Sequence, residues 1–230
     1  MLYWGEGFLK HYKSVTPSSM HVVCGSPVID SLLKVRKKNS KRFVVAVLTQ
    51  PADKGWITQE HYEHLVVLVI RLLEENPDID IIVRMHPVDT NNIFFSLARS
   101  SKRLKIFNSP RYSIADVFSK ADCMVSFAST TISEAAACSV IPIILATNAV
   151  YSLFPYPEKE GAALVSDSID KAFEYITRLH LNPEIFDDTR HNMEMFSEKF
   201  FGSRDGKSLQ RIRDEIYGAF MKESGRECQK

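Results

Sequence analysis

Short apolar runs alternate with helix-length amphipathic stretches along most of this chain of 230 residues. Several of the apolar runs are rich in valine and isoleucine and show no polar face. Strands that are apolar on both faces are typical of parallel sheets, which helices cover on each side. The pattern therefore predicts an α/β fold with a doubly wound parallel sheet of about six strands. The predicted strands are Met20–Val23, Arg42–Leu48, Asp80–Met85, Leu104–Phe107, Asp122–Ser126 and Ile141–Leu145.

Helical periodicity fills the intervals between these strands and continues after the last one. The predicted helices are Thr58–Glu75, Asn92–Ser100, Ile114–Lys120, Thr130–Ala137, Ser168–Arg178, Phe186–Phe200 and Ser208–Met221. We expect residues 20–185 to form the sheet domain and residues 186–230 to add C-terminal helices that pack on it. Residues 1–19 are aromatic and glycine-rich without a strand pattern, which is typical of a linker from a missing N-terminal domain.

Doubly wound sheets bind ligands at the carboxyl ends of their strands. Four predicted strand ends have polar residues, which together suit one elongated anionic ligand. These residues are Thr49 and Gln50, His86 and Pro87, Asn108 to Tyr112, and Ser126 to Thr131. Each group also has a plain structural interpretation, because turns before proline and exposed loops use the same residue types.

The turn from Ser126 to Thr131 is the most informative of these ends. Ser129 or Thr130 stands at the N-cap of the next helix, where hydroxyl groups and unpaired N–H groups favour a phosphate. Glu134 follows in the first turns, where it could accept a sugar hydroxyl. The competing interpretation is an ordinary capped helix with a favourable first-turn carboxylate.

His86 directly follows a predicted strand, in the sequence Arg84-Met-His-Pro87. A histidine at this place can donate to a phosphate oxygen or act as a general acid on a leaving phosphate. The alternative is a histidine that binds a neighbouring backbone carbonyl. Pro87 stiffens the backbone in either case.

Net charge and cysteine spacing give no support for nucleic-acid binding or for a metal site. The chain has 29 Lys and Arg against 28 Asp and Glu, so its net charge of +1 gives no argument for nucleic-acid binding. Four cysteines without metal spacing predict reduced thiols, no metal site and a cytoplasmic protein. A basic run from Lys34 to Arg42 is a solvated loop or a peripheral contact with the inner face of a membrane.

Six segments resemble the C-terminal, donor-binding half of GT-B glycosyltransferases, which is Rossmann-like. They are Cys24–Asp30, Val83–Pro87, Asp116–Asp122, Ala128–Ala135, Pro142 with its apolar neighbours, and Asp205–Ser208 with Arg211. The pairing of His86-Pro87 with Ser129-Thr130 is similar to that of bacterial capsule and surface-polysaccharide transferases. Those include polysialyltransferases, Kdo transferases and teichoic-acid polymerases that use CDP-glycerol.

This resemblance implies a CMP-, CDP- or UDP-linked sugar as the substrate, no cofactor, and a saccharide or lipid-linked acceptor. It implies that His86 binds the donor phosphate and acts as general acid, that Ser129 and Thr130 hold phosphate oxygens, and that Glu134 binds a ribose hydroxyl. Glu6 resembles the acidic residue that supplies the base in polysialyltransferases, with a helix-start or surface carboxylate as the alternative.

Two other functions stay open at this stage. The chain is a subunit that docks a partner, which then supplies the acceptor domain, or it is a non-catalytic binding protein. An enzyme similar to the UDP-GlcNAc 2-epimerases is the second alternative, although the chain lacks their Gly-Gly run.

Overall fold

A computed structural model describes residues 1–15, 20–34, 42–52, 57–108, 111–127, 129–146 and 154–223. The strands are β1 Leu2–Tyr3, β2 Val22–Val23, β3 Phe43–Leu48, β4 Ile79–Arg84, β5 Leu104–Phe107, β6 Cys123–Ser126, β7 Ile141–Leu145 and β8 Leu164–Ser166. The helices are α1 Glu6–Tyr12, α2 Pro27–Leu33, α3 Gln59–Glu75, α4 Ile93–Ser100, α5 Ile114–Phe118, α6 Thr131–Ala137, α7 Ile169–Leu181, α8 Asp187–Phe201 and α9 Ser208–Glu223.

The chain forms two compact units. Residues 1–34 and 197–230 make up the first, which we call the terminal unit, and residues 35–196 make up the second, the sheet unit. The predicted boundaries at residues 19 and 185 differ from this division, because both ends of the chain belong to the same unit. Helix α8 begins in the sheet unit and ends in the terminal unit.

The sheet unit contains a six-stranded sheet with the strand order β5-β4-β3-β6-β7-β8, and every pairing in it is parallel. The chain runs outward from β3 to β5, then returns to β6 on the other side of β3. Its order therefore reverses between β3 and β6, which is where such sheets bind ligands. The two strands are buried, with Val45, Val47 and Val125 fully inaccessible to solvent. The predicted fold class is confirmed.

Capping explains why the helices begin where the sequence predicts. Thr58 accepts a hydrogen bond from the backbone N–H of His61 at the start of α3, and Ser113 and Ser168 cap α5 and α7 in the same way. Along α3, residues spaced three and four apart are buried, which holds the helix on the sheet. Each predicted helix ends within three residues of its observed end.

One predicted strand was assigned to the wrong sheet. Val22–Val23 pairs with Leu2–Tyr3 in a separate two-stranded sheet of the terminal unit. The sixth strand of the main sheet is instead Leu164–Ser166, which the sequence pattern did not predict. This strand lies at the edge of the sheet and has three residues, which is too short to show a clear period in the sequence.

The first twelve residues include the strand β1 and the helix α1, so the expectation that this segment has no strand was wrong. Gly5 and Gly7 are buried there against the C-terminal part of α8. A Cβ atom at Gly5 would lie 2.5 Å from the backbone carbon of Phe200, and one at Gly7 would lie 2.5 Å from its ring. These glycines therefore permit close packing, and Trp4 adds an edge-to-face contact with Phe8 at 5.4 Å.

Asp30 joins the two ends of the chain within the terminal unit. Its carboxylate accepts hydrogen bonds from the backbone N–H groups of Gly206 at 3.2 Å and Ser208 at 2.9 Å, at the start of α9. Burial alone would raise the pKa of Asp30, but the bonds from Ser208 and Gly206 outweigh it and hold that pKa below its usual range. Arg211 completes the junction by donating to the carbonyl of Cys24 at 3.0 Å. Two of the six resembling segments therefore have a structural role.

Among the described helices, none has the length and apolar character needed to cross a membrane. Residues 35–41 of the basic run lie outside the described residues, so membrane contact through them stays a prediction.

Candidate nucleotide-sugar site

A cleft of about 410 Å³ opens at the carboxyl ends of β3 and β4, beside the turn that leads into α6. It therefore lies where the strand order of the sheet reverses. Its lining comes from the sheet unit and consists of Leu48, Thr49, Gln50, Arg84, Met85, His86, Pro87, Ile114, Ser129, Thr130 and Thr131. Seven of the residues predicted from the strand ends are among them, and they come from three of the four predicted groups.

Thr49 connects the ends of β3 and β4. Its Oγ1 accepts the backbone N–H of His86 at 3.1 Å and donates to the carboxylate of Asp89 at 2.5 Å. The side chain is buried, with 4% of its surface exposed. The hydroxyl proton of Thr49 is thus used inside the protein, and the residue holds the cleft wall in place.

His86 is half-buried on this wall, in a turn that Asp89 closes by donating its N–H to the His86 carbonyl at 2.9 Å. The backbone N–H of Val88 donates to Nδ1 of the imidazole at 3.3 Å. Because Nδ1 accepts this bond, the neutral ring has its proton on Nε2. His86 can therefore offer an Nε2–H donor to an anion.

Hydroxyl groups line the opposite side of the cleft. The Oγ atom of Ser129 lies 2.6 Å from Oγ1 of Thr131 and accepts the N–H of Thr131 at 3.3 Å. Thr130 is the N-cap residue, and its side chain is exposed and makes no capping bond. Helix α6 has seven residues, so the dipole of this short helix contributes little, and the groups here that could contact an anion are the hydroxyls and a nearby cation.

That cation is Arg84, which the sequence argument did not select. It is the last residue of β4, and its Nη1 donates to the carbonyl of Phe107 at 3.3 Å. Burial lowers the pKa of its guanidinium, the Asp116 carboxylate opposes this, and the group remains charged. A positive charge at the carboxyl end of a strand, directly before His86, was the signal that could have found it.

Four predicted donor-binding residues do not line the cleft. Ser126 is fully buried and donates its hydroxyl to the carbonyl of Leu48 at 3.3 Å, so its role is structural. Asn108 is exposed, and Tyr112 stacks on Phe107 with 4.1 Å between ring centroids. The predicted group from Asn108 to Tyr112 also includes residues 109–110, which lie outside the described residues.

Two predicted carboxylates also lie elsewhere. Glu134, the fourth predicted donor-binding residue that does not line the cleft, is half-buried on α6, and burial raises the pKa of its carboxyl group. Glu6 lies in the terminal unit, exposed on the first turn of α1. Within the described parts of the chain, no group of three or more His, Cys, Asp and Glu side chains is arranged to hold a metal ion.

No protein-family model matches the chain, and no curated protein sequence matches it. Solved structures of GT-B enzymes do match. The wall teichoic acid polymerase TagF, in a variant soaked with CDPG, is 15% identical with a TM-score of 0.62 and aligns with 98% of this chain. A UDP-N-acetylglucosamine 2-epimerase is 14% identical with a TM-score of 0.63 and aligns with 99% of it.

The UDP-GlcNAc 2-epimerase of Methanocaldococcus jannaschii, in complex with UDP-GlcNAc and UDP, is 18% identical with a TM-score of 0.60 over 94% of this chain. The chain spans 58% of the TagF chain and 60% of this epimerase chain. At these identities the comparisons show the fold, which is that of a GT-B-like domain.

Proposed function

We propose that the cleft binds the phosphate groups of a nucleotide sugar and that the chain is the donor-binding half of an inverting GT-B glycosyltransferase for a surface polysaccharide. The observation that supports this most is the convergence of Arg84, His86 and the Ser129–Thr131 hydroxyls on one cleft, at the switch point of the sheet. The TagF structure soaked with CDPG and the epimerase complex with UDP-GlcNAc support the class of ligand.

The proposed contacts follow from the chemistry of each group. Arg84 provides a permanent positive charge, whose planar N–H groups suit phosphate oxygens. Thr130 and Ser129 provide short hydroxyl donors on the other side, and His86 provides its Nε2–H. Ile114 adds an apolar surface near the ring of a sugar or base.

In the proposed reaction, an acceptor hydroxyl oxygen attacks the anomeric carbon from the face opposite the donor phosphate. The bond between that carbon and the phosphate oxygen breaks, and its electron pair stays on the phosphate. Arg84 and His86 stabilise the charge that develops there. When the imidazole is protonated, Nδ1 no longer accepts the N–H of Val88, and Nε2–H can serve as the general acid. The proton of the acceptor passes to a general base, and the assignment of that role to Glu6 stays a prediction from the resemblance.

Glu134 does not line the cleft, and we propose that it binds a ribose hydroxyl of the donor beyond the phosphate-binding residues. Burial disfavours its charged form, and a hydrogen bond from a ribose hydroxyl would compensate for that cost. The acceptor would be a saccharide or a lipid-linked saccharide, bound by a second domain or by a partner subunit.

Isothermal titration calorimetry with CDP-glycerol, UDP-GlcNAc, UDP and CMP tests the proposal. We expect micromolar to millimolar binding of at least one compound, and a loss of about tenfold or more in affinity for His86→Ala and for Thr130→Ala. Arg178→Ala is the control, because Arg178 lies on α7 in a surface ion pair with Glu174. Absence of binding, or equal binding by all the variants, would contradict the proposal.

A subunit that docks a partner is the second candidate. It is favoured by the large hydrophobic side chains exposed on the terminal unit, including Trp4, Ile216 and Phe220 at 42%, 59% and 62% of their surface. A stable complex with a second protein, combined with no nucleotide affinity, would support docking as the sole function. Nucleotide binding together with a partner would instead indicate a split transferase.

An epimerase is the third candidate, because two of the compared structures are UDP-GlcNAc 2-epimerases with TM-scores similar to that of TagF. It is separated from a transferase by incubation with UDP-GlcNAc in the absence of any acceptor. Formation of the 2-epimer, followed by NMR of the sugar, would favour the epimerase.

A further inference from the structure

We propose that Asp89 is a positioning residue, which acts through Thr49 to fix the orientation and tautomer of His86. The inference rests on the proposed function, since that function gives His86 its ligand.

The carboxylate of Asp89 accepts three hydrogen bonds. Thr49 Oγ1 donates to its Oδ2 at 2.5 Å, the Tyr62 hydroxyl donates to the same oxygen at 3.1 Å, and the N–H of Asn91 donates to Oδ1 at 3.1 Å. Thr49 and Tyr62 are buried, with 4% and 1% of their surfaces exposed. Hydrogen bonds to a carboxylate are stronger than those between neutral groups, and three of them together fix the position of Asp89.

The same residue controls both backbone groups of His86. The N–H of His86 donates to Thr49 Oγ1 at 3.1 Å, and that hydroxyl in turn donates to Asp89. The carbonyl of His86 accepts the N–H of Asp89 at 2.9 Å. His86 is therefore held at its N–H through Thr49 and at its carbonyl by Asp89 directly.

The turn between these two bonds determines the state of the ring. Val88 lies inside the turn, and its N–H reaches Nδ1 of His86 at 3.3 Å. That bond requires an unprotonated Nδ1, so the neutral ring has its proton on Nε2. Loosening the turn would free the ring to rotate and to exchange tautomers, and the Nε2–H donor would no longer be fixed at the cleft.

Tyr62 supports this arrangement from the side of the helix α3. Burial, followed by the charge of Asp89 and the hydrogen bond to it, raises the pKa of the Tyr62 phenol well above its usual range. The phenol therefore keeps its proton at neutral pH and donates it to Asp89. Its ring packs against Phe94 with 5.7 Å between centroids.

Substitutions can separate positioning from simple stabilisation. Thr49→Val keeps the shape of the side chain but removes the hydroxyl, whereas Thr49→Ser keeps the hydroxyl. Asp89→Ala removes the acceptor for Thr49. Thr177→Val is the matched control, because it removes a buried threonine hydroxyl that has no hydrogen-bond partner in the described part of the chain.

The experiment is NMR of the full chain labelled with ¹⁵N-histidine at a pH where His86 is neutral, with the His86 signals assigned by their loss in His86→Gln. We expect the Nε2–H tautomer of His86 in the wild type, in Thr49→Ser and in Thr177→Val. We expect averaged tautomer signals in Thr49→Val and Asp89→Ala. If either of these two variants unfolds, Tyr62→Phe provides a milder change with a smaller shift in the same direction.

Affinity for CDP-glycerol or UDP, whichever the wild type binds, gives the second readout. We expect a loss of about tenfold in Thr49→Val and Asp89→Ala, and rescue to within about twofold in Thr49→Ser. Unchanged His86 signals in folded Thr49→Val and Asp89→Ala would overturn the positioning role. A wild type with the expected tautomer but no nucleotide affinity would instead contradict the proposed function and leave the geometric part confirmed.

Discussion

The sheet unit and the terminal unit use polar and apolar residues in different ways. In the sheet unit, Arg84 and His86 lie on a cleft at the end of a buried sheet. In the terminal unit, the buried carboxylate of Asp30 is occupied by backbone N–H groups of the same unit. Eighteen large hydrophobic side chains are exposed in the described part of the chain, and twelve belong to the terminal unit, although it is less than half as long.

This difference separates two kinds of role. Side chains that line a cleft can contact a ligand, whereas a carboxylate that accepts hydrogen bonds from backbone N–H groups of its own unit stabilises the fold. Exposed apolar side chains in one small unit favour contact with another protein surface. We therefore expect changes in the sheet unit to affect nucleotide affinity, and changes in the terminal unit to affect stability or association.

The largest effect is expected from Asp30→Ala. It removes the acceptor of two backbone N–H groups at the start of α9, and we expect a loss of about 3 kcal/mol in the free energy of unfolding. Urea denaturation followed by circular dichroism measures it. Asp30→Asn keeps one acceptor oxygen and should lose less. Affinity for nucleotide should stay within about twofold in the folded variant, and a parallel loss would show that the units do not divide these roles.

The lowered pKa of Asp30 also predicts how the stability of the protein changes at low pH. Because the pKa of Asp30 is lower in the folded protein, its stabilisation is present above the unfolded pKa of about 4 and is lost as pH falls through the folded value. The stability difference between wild type and Asp30→Asn should therefore be larger at pH 7 than at pH 3. Equal differences at both values in urea melts would contradict the assignment.

Arg84→Ala is expected to have the next largest effect, and this time on binding. Loss of a charged donor to phosphate should raise the Kd for the nucleotide by about 30-fold, or about 2 kcal/mol. Arg84→Lys should restore part of the affinity, since lysine keeps the charge but loses the planar arrangement of donors. Calorimetry at two salt concentrations measures both variants, and an unchanged Kd for Arg84→Ala would remove this residue from the site.

A smaller effect on stability is expected from the exposed face of α9. Leu209, Ile216 and Phe220 are spaced so that they share one side of the helix, and each is more than half exposed. Ile216→Ser with Phe220→Ser should change the free energy of unfolding by less than about 0.5 kcal/mol per substitution. Sedimentation should show weaker association, with itself or with a partner. A large loss of stability would show that these side chains support the fold.

The smallest effect is expected from Glu134→Gln. Burial raises the pKa of Glu134 in the folded state, so its contribution to stability is present below the unfolded pKa and is lost as pH rises through the folded value. Glu134→Gln should therefore raise the melting temperature slightly at pH 7 and leave it unchanged at pH 4. Its nucleotide affinity should fall if the carboxylate binds a ribose hydroxyl, and a lower melting temperature at pH 7 would contradict the argument.

Much of the sheet unit could be predicted from the sequence, because its signals are local. A hydroxyl caps a helix within four residues of itself, and a strand that is buried on both faces is apolar throughout. Strand ends then show which polar residues share one edge, as Thr49, His86 and Ser129 do. Arg84 was missed because it stands inside a strand pattern, where its charge looks like an interruption.

The terminal unit could not be predicted because its contacts join distant parts of the chain. Asp30 binds N–H groups 176 and 178 positions away, and a local pattern cannot show such a bond. Gly5 and Gly7 look like flexible linker residues in the sequence, but they are required by the approach of Phe200. Ser126 illustrates a further limit, since its hydroxyl could have faced either the cleft or the core.

An NMR titration of the ¹⁵N-labelled chain with CDP-glycerol and with UDP-GlcNAc tests most directly whether the sheet unit, and not the terminal unit, binds the donor. We predict that the largest amide shifts will lie at the residues around the cleft, from Thr49 to Gln50, at Arg84 to His86 and at Ser129 to Thr131. Amides of α9 and α1 should shift little. Shifts confined to the terminal unit, or none with either compound at millimolar concentration, would contradict the assignment of the cleft as the donor site.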